Sequence, residues 1–186
     1  MDNPLQLKNN LVCLTGKVLS EPSYSHHVFG EGFYEAYLVI SRLSEQSDII
    51  PITISERLMK DVPLKTDKIV SIEGQFRSYN KIIDDRSKLM LTVFVRDIAE
   101  YDESINFIKN PNQINLIGYV CKNPIFRTTP FNREICDILI AVNRAFNKSD
   151  YIPCIAWGRN ARFAASLSIG TKLSVSGRIQ SREYQK

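Results

Sequence analysis

The sequence predicts an all-β chain with short helices, arranged as two tandem five-stranded barrels, the second of which lacks its last strand in this chain. Three observations carry that prediction: an internal duplication, a period of two in the apolar residues of each copy, and a helical pattern at the same place in both.

The duplication shows when the chain is slid along itself by 102 positions, which lays SDIIP on SDYIP with Pro51 on Pro153. The same shift lays LTGKVLSEPSY from Leu14 on LIGYVCKNPIF from Leu116. Gly16 then meets Gly118, Pro22 meets Pro124, Tyr24 meets Phe126 and Arg42 meets Arg144. After one residue of slippage VSIEGQFRS from Val70 meets LSVSGRIQS from Leu173, with Gly74 on Gly177. Several anchors in one order define two copies of one unit.

Within each copy the elements follow in order. LVCLTGKV and INLIGYV alternate apolar with small or polar residues and read as first strands, and a glycine inside each suits a sharp bend. YEAYLVIS and ICDILIAV read as second strands, SDIIPITIS and SDYIPCIAW as third. A helix follows in SERLMKDVPLK and again in GRNARFAASLSIG, where Ala161, Phe163, Ala164 and Leu167 fall on one face and Gly170 closes the turn. IVSIEGQF and LSVSGRI are fourth strands, and KLMLTVFVRDIAEY supplies a fifth in the first copy alone. SYNKIIDDRSK reads as a hairpin with a polar tip. Five short strands with a helix between the third and fourth are the order of a Greek-key OB barrel. Another small barrel or sandwich explains the alternation but not the place of the helix. The expected organisation is a first barrel over 1–103, a linker over 104–112 and a second barrel over 113–186.

Composition bounds the function. An apolar share of 44% with 24% charged residues is that of a folded chain rather than a disordered one. No apolar run reaches transmembrane length, and MDNPLQLKNN has neither the basic flank nor the apolar segment of a signal peptide, so a cytoplasmic protein is expected. Cys13, Cys121, Cys136 and Cys154 are scattered without metal-ligand spacing and read as small apolar strand residues. No cofactor is expected. His26 and His27 fall in SYSHHVFGEG, read as a turn, with no partner at catalytic spacing, so catalysis is not expected. Charge is uneven. Residues 113–186 hold eleven Lys and Arg against four Asp and Glu, and residues 1–112 hold thirteen against sixteen. A basic half beside an acidic half points to an anionic partner for the former.

On the third strand of the second copy Tyr151, Pro153, Ile155 and Trp157 share one face, and Ile152, Cys154 and Ala156 share the other. A ring on a strand packs a core as readily as it lines a site. Here, though, turning Trp157 inward would turn Ile152, Cys154 and Ala156 outward, the reverse of what burial favours. Phe146 lies at the turn before this strand and Tyr184 beyond the fourth, with Arg127, Arg133, Arg144, Lys148, Arg159, Arg162, Arg178 and Arg182 around them in sequence. Rings interleaved with cations suit single-stranded nucleic acid, whose bases stack and whose phosphates meet charge.

These residues carry a resemblance. In NPIFRTTP, ILIAVNRAFN, DYIPCIAWG and VSGRIQSREY the second copy closely resembles bacterial single-stranded DNA-binding proteins, and the doubled arrangement is similar to the tandem-OB members of that family. The resemblance implies sequence-tolerant binding of single-stranded DNA in replication, repair or recombination, with four barrels per working unit and hence a homodimer. It assigns base stacking to Phe146, Tyr151, Trp157 and Tyr184, and phosphate contacts to Arg127, Arg159 and Arg182. Replication or repair proteins are further expected partners, but the acidic tail with which the family recruits them has no counterpart in this sequence. In the first copy the equivalents of Phe146, Tyr151 and Trp157 are Ser44, Ile49 and Ser55, leaving Tyr79 as the remaining candidate ring, so that copy is expected to be a scaffold. The alternative reading is an assembly module that keeps the OB fold, as a primosome-like or phage accessory protein would, with little nucleic-acid binding.

Overall fold

The computed structural model describes residues 8–102 and 110–182. The chain divides into two compact units that do not follow the repeat boundary. One gathers Leu11–Phe76, Leu91–Asn115 and Ser176–Lys186; the other gathers Met1–Asn10, Arg77–Met90 and Leu116–Val175. Most of the first copy lies in one unit and most of the second in the other, with the first-copy segment Arg77–Met90 grouped in the second copy's unit.

In the first copy β1 (Asn10–Val18) pairs antiparallel with both β3 (Glu31–Ser41) and β5 (Ile69–Ile83), through Lys17↔Val39 and Val12↔Gly74 among others. Along β3 lies β4 (Ser47–Ser55), which runs parallel to β6 (Arg86–Glu100) at Ile52↔Val93 and Thr53↔Phe94. Since β6 also adjoins β5, the ring closes. This is the five-stranded order the sequence predicts. The inward sets are the alternating apolar residues: Val12 and Leu14, then Ala36, Leu38 and Ile40, then Ile50, Ile52 and Ile54, all nearly inaccessible. A Cβ on Gly16 would stand 2.7 Å from the Val39 carbonyl oxygen, and one on Gly118 would stand 2.5 Å from that of Ala141. Both first strands therefore need glycine where the next strand crosses closely.

One local expectation is corrected. SYSHHV is a strand, β2 (Ser23–Val28), paired with β3; the turn falls at Phe29 and Gly30, both at positive φ (49° and 81°). His26 and His27 thus lie on a sheet rather than in a loop. In the SERLMKD region the helix is α1 (Glu56–Asp61), capped by the Ser55 hydroxyl accepting from the Leu58 amide at 3.4 Å. The hairpin expected over 78–88 forms, with Asp84 and Asp85 both at positive φ at its tip. Most of the expected linker lies outside the described residues.

The second copy comprises β7 (Asn112–Val120), β8 (Ile125–Thr128), β9 (Glu134–Arg144), β10 (Lys148–Trp157), α2 (Arg159–Ala165) and β11 (Lys172–Gly177). β9 pairs with β7, β8 and, over its whole length, β10; β11 pairs with β7. Among the described residues no fifth strand lies beside β10. In the first copy a Cβ on Gly74 would collide with the Phe94 carbonyl of β6, whereas nothing stands within 4 Å of one on the equivalent Gly177. On α2, Ala161 and Ala164 are buried as expected, but Phe163 points out. A seven-residue helix makes a narrow apolar face, and the two alanines fill it.

Candidate nucleic-acid interface

Strand parity fixes which side of β10 each ring takes. Ile152 is buried on the inner side of β10, and Cys154 there has its thiol pushed up to about 11 by burial. Tyr151 and Trp157 on the opposite side remain 47% and 44% exposed, so neither ring belongs to the barrel core. Phe146 sits at the β9–β10 turn, with its backbone at φ 63° and its ring 91% exposed. A left-handed backbone costs a bulky L residue about 1–2 kcal/mol, which here holds an apolar ring in solvent.

The candidate cations differ in freedom. Lys148, at the start of β10, and Arg159, at the start of α2, are exposed. Arg127 forks onto Asp137 at 2.8 and 3.2 Å, the neighbouring outward position on β9. Arg144 faces the buried Asp150 at 3.7 Å, as Arg42 faces Asp48 at 2.5 Å in the first copy. Arg144 therefore serves an ion pair inside the fold. Around Trp157 the chain forms a cleft of about 500 Å³ lined by Thr128, Asn132, Arg133, Glu134, Gly158 and Arg162. Arg162 donates to Glu134 at 2.6 Å. Thr128 and Asn132 were not among the residues singled out by sequence; their polarity alone gives no signal without the turn that folds them toward Trp157.

Two candidates are placed in a way the repeat does not suggest. The amide of Ser78, one residue before Tyr79, donates to Asp150 at 2.9 Å, and the Ser78 hydroxyl accepts from the Tyr151 amide at 2.8 Å. Tyr79, a first-copy residue, thus stands in the unit that holds Tyr151 and Trp157. Conversely Ser181 donates its amide to Asp48 at 3.0 Å and its hydroxyl accepts from Ile49, so Arg182 stands in the first copy's unit. Tyr184 lies outside the described residues. Burial pushes the Asp48 carboxyl up, but the hydrogen bonds from Arg42 and the Ser181 amide, with the charges of Arg42 and Arg178, outweigh it and hold the group below the ordinary carboxylate range.

Among the described residues no group of three or more His, Cys, Asp or Glu could hold a metal ion, and no helix is long and apolar enough to cross a membrane.

An OB barrel whose outer strands present rings beside cations defines the class: a tandem oligonucleotide-binding-fold chain with one aromatic and basic face. Residues 111–186 match the model of the Single-strand binding protein family. The single-stranded DNA-binding protein 2 of Listeria innocua is 36% identical over 81 residues, which are 40% of this chain and 51% of that protein. The single-stranded DNA-binding protein A of Bacillus subtilis is 35% identical over 81 residues, 47% of its length. The chain thus spans about half the length of the curated relatives it matches. The wild-type single-stranded DNA binding protein from Thermus aquaticus has the same fold, with a TM-score of 0.74 at 21% identity, covering 92% of this chain and 84% of that one.

Proposed function

We propose that the chain binds single-stranded DNA without sequence preference and without catalysing a reaction, through the outer face of β9 and β10. The outward set of Tyr151 and Trp157 opposite a buried inner set is the observation that carries this reading. Bases stack on Phe146, Tyr151 and Trp157, and Tyr79 of the same unit is a further candidate ring; Lys148, Arg159 and Arg127 meet phosphates. Arg144 acts through Asp150 rather than on the ligand. The matched relatives are single-stranded DNA-binding proteins by name, and the basic second copy supplies the charge that such a ligand needs. A cytoplasmic homodimer with four barrels, acting in replication, repair or recombination, is the working form this reading entails.

Trp157 is the chain's single tryptophan, so it reports on the site directly. Oligothymidine is expected to quench its emission in a saturable way, with an affinity that falls as salt rises because neutralised phosphates release counterions. Trp157→Ala is expected to cost about 1–3 kcal/mol of binding. Unchanged emission at low salt together with parental affinity in Trp157→Ala would overturn the reading.

A further inference from the structure

The strand that carries Tyr151 and Trp157 has a partner on one side alone. β10 closes one end of the sheet, with β9 beside it and, among the described residues, no strand beyond. Its counterpart β4 lies between β3 and β6. At the end of β10 the Gly158 amide donates to the Glu134 carbonyl at 2.9 Å, so the even-numbered residues turn their backbone groups toward β9 and the odd-numbered ones toward the open edge. Tyr151, Pro153, Ile155 and Trp157 therefore face that edge. Proline brings no amide to it. The amide of Tyr151 does, and it donates to the Ser78 hydroxyl at 2.8 Å.

Ser78 grips two successive residues. While its hydroxyl accepts from Tyr151, its own amide donates to Asp150 at 2.9 Å, and Asp150 is 2% exposed. One acceptor and one donor on adjacent positions imitate a single rung of a neighbouring strand. From its own copy Asp150 has Arg144 only at 3.7 Å, where Arg42 lies against Asp48 at 2.5 Å. The first copy repeats the clasp with Ser181 on Ile49 and Asp48, but β6 then joins β4 at Ile52 and Thr53. β4 is thus held at two places along this edge, and β10 at the place where Ser78 meets it.

We infer that Ser78 is a positioning residue for the second copy's interface: by accepting from the Tyr151 amide it fixes the start of an edge strand, and with it the direction in which the Tyr151 ring leaves the sheet. It rests on the reading that Tyr151 stacks on a base. A strand left loose at this edge has to be ordered when a ligand arrives, at a cost in conformational entropy that a clasped strand does not incur on binding. Ser181 makes the same bond to an aliphatic residue, so the two serines separate a bond that supports the fold from one that also aims a ring.

The test is titration of the full chain with a labelled oligothymidine, read by fluorescence anisotropy. Ser78→Ala keeps the amide bond to Asp150 and loses the hydroxyl; it is expected to bind about three- to tenfold more weakly, the effect of one hydrogen bond. The salt slope is expected to match the parent, since no phosphate contact is lost. Ser78→Thr, which keeps the hydroxyl, is expected to restore the affinity. In a Tyr151→Ala background the Ser78→Ala loss is expected to vanish, and in a Trp157→Ala background to persist. Ser181→Ala is expected to lower the urea midpoint as Ser78→Ala does and to bind like the parent. If Ser78→Ala does not fold, Ser78→Cys, a weak acceptor of similar size, takes its place with the same expected direction. Parental affinity in the folded Ser78 variant, an undiminished loss in the Tyr151→Ala background, or an equal loss in Ser181→Ala would overturn the inference. With Tyr151→Ala itself binding weakly, the second copy's site would survive that result. Absence of binding in the parent would remove both.

Discussion

The two barrels share an inner face and differ on the outer one. Inward positions exchange Ile52 for Cys154 and Ile54 for Ala156, all compatible with a narrow barrel, while the outward position at the end of the third strand exchanges Ser55 for Trp157. Ser55 turns back to cap α1, whereas α2 begins after Gly158, at φ 56° and with no side-chain cap. A helix cap and a free ring compete for one residue. The comparison teaches that the start of the helix decides which copy can carry an aromatic at the end of its third strand.

The largest contrast is expected at the buried carboxylates. Asp48 is held by two bonds from Arg42, at 2.5 and 2.9 Å, and by the Ser181 amide, whereas Asp150 has Arg144 only at 3.7 Å and the Ser78 amide. Breaking a buried ion pair by removing one partner costs about 3–5 kcal/mol, so Asp48→Ala is expected to lower unfolding free energy by about that much in urea. Asp150→Ala is expected to lose less, about 1–3 kcal/mol, the cost of an unpartnered amide and a weaker pair. The pH dependence has a definite sign. Because the folded Asp48 carboxyl lies below its unfolded value of about 3.9, its contribution is fully present above that pH and is lost as pH falls through the folded value. Acid titration of stability in Asp48→Asn should lack that part of the fall; an unaltered acid limb would contradict the pairing.

A smaller contrast lies between two equivalent glycines. Gly74→Ala drives a methyl group into the Phe94 carbonyl, while Gly177→Ala meets open space. Denaturant titration is expected to show a loss of about 1–3 kcal/mol for the first and little change for the second. Equal losses would mean that something covers Gly177 in solution. The smallest effect belongs to the cap: Ser55→Ala is expected to cost about 0.5–2 kcal/mol, read as a shift in the urea midpoint.

Much of the fold was legible because its causes are local. Alternation marked the strands, and Gly16 and Gly118 marked the close crossings. Parity alone separated Tyr151 and Trp157 from Ile152 and Cys154, since a ladder offers only two faces. What escaped depends on neighbours in space. Phe33 is visible beside His26 and Phe94 only when the strands are laid around one another, because those rings lie far apart in the sequence. His26 and His27 read as part of a turn in SYSHHVFGEG, yet the reversal needs only Phe29 and Gly30. Tyr79 joins Tyr151 through Ser78, a contact that no repeat pattern encodes. Arg144 reads as a surface cation until Asp150 is seen beneath it.

The two serine clasps set a folding order. Ser78 reaches Asp150 and Tyr151 across 72 and 73 residues, and Ser181 reaches Asp48 and Ile49 across 133 and 132. Contacts so distant along the chain form late, since the loop must close before the bond repays its entropy. Each barrel's third strand thus receives its last amide partner from a segment made far away in the sequence: Tyr151 waits for the second copy to follow Ser78, and Ile49 waits until Ser181 has been synthesised. On a ribosome the first barrel would be nearly complete and still unclasped while the whole of the second is being made.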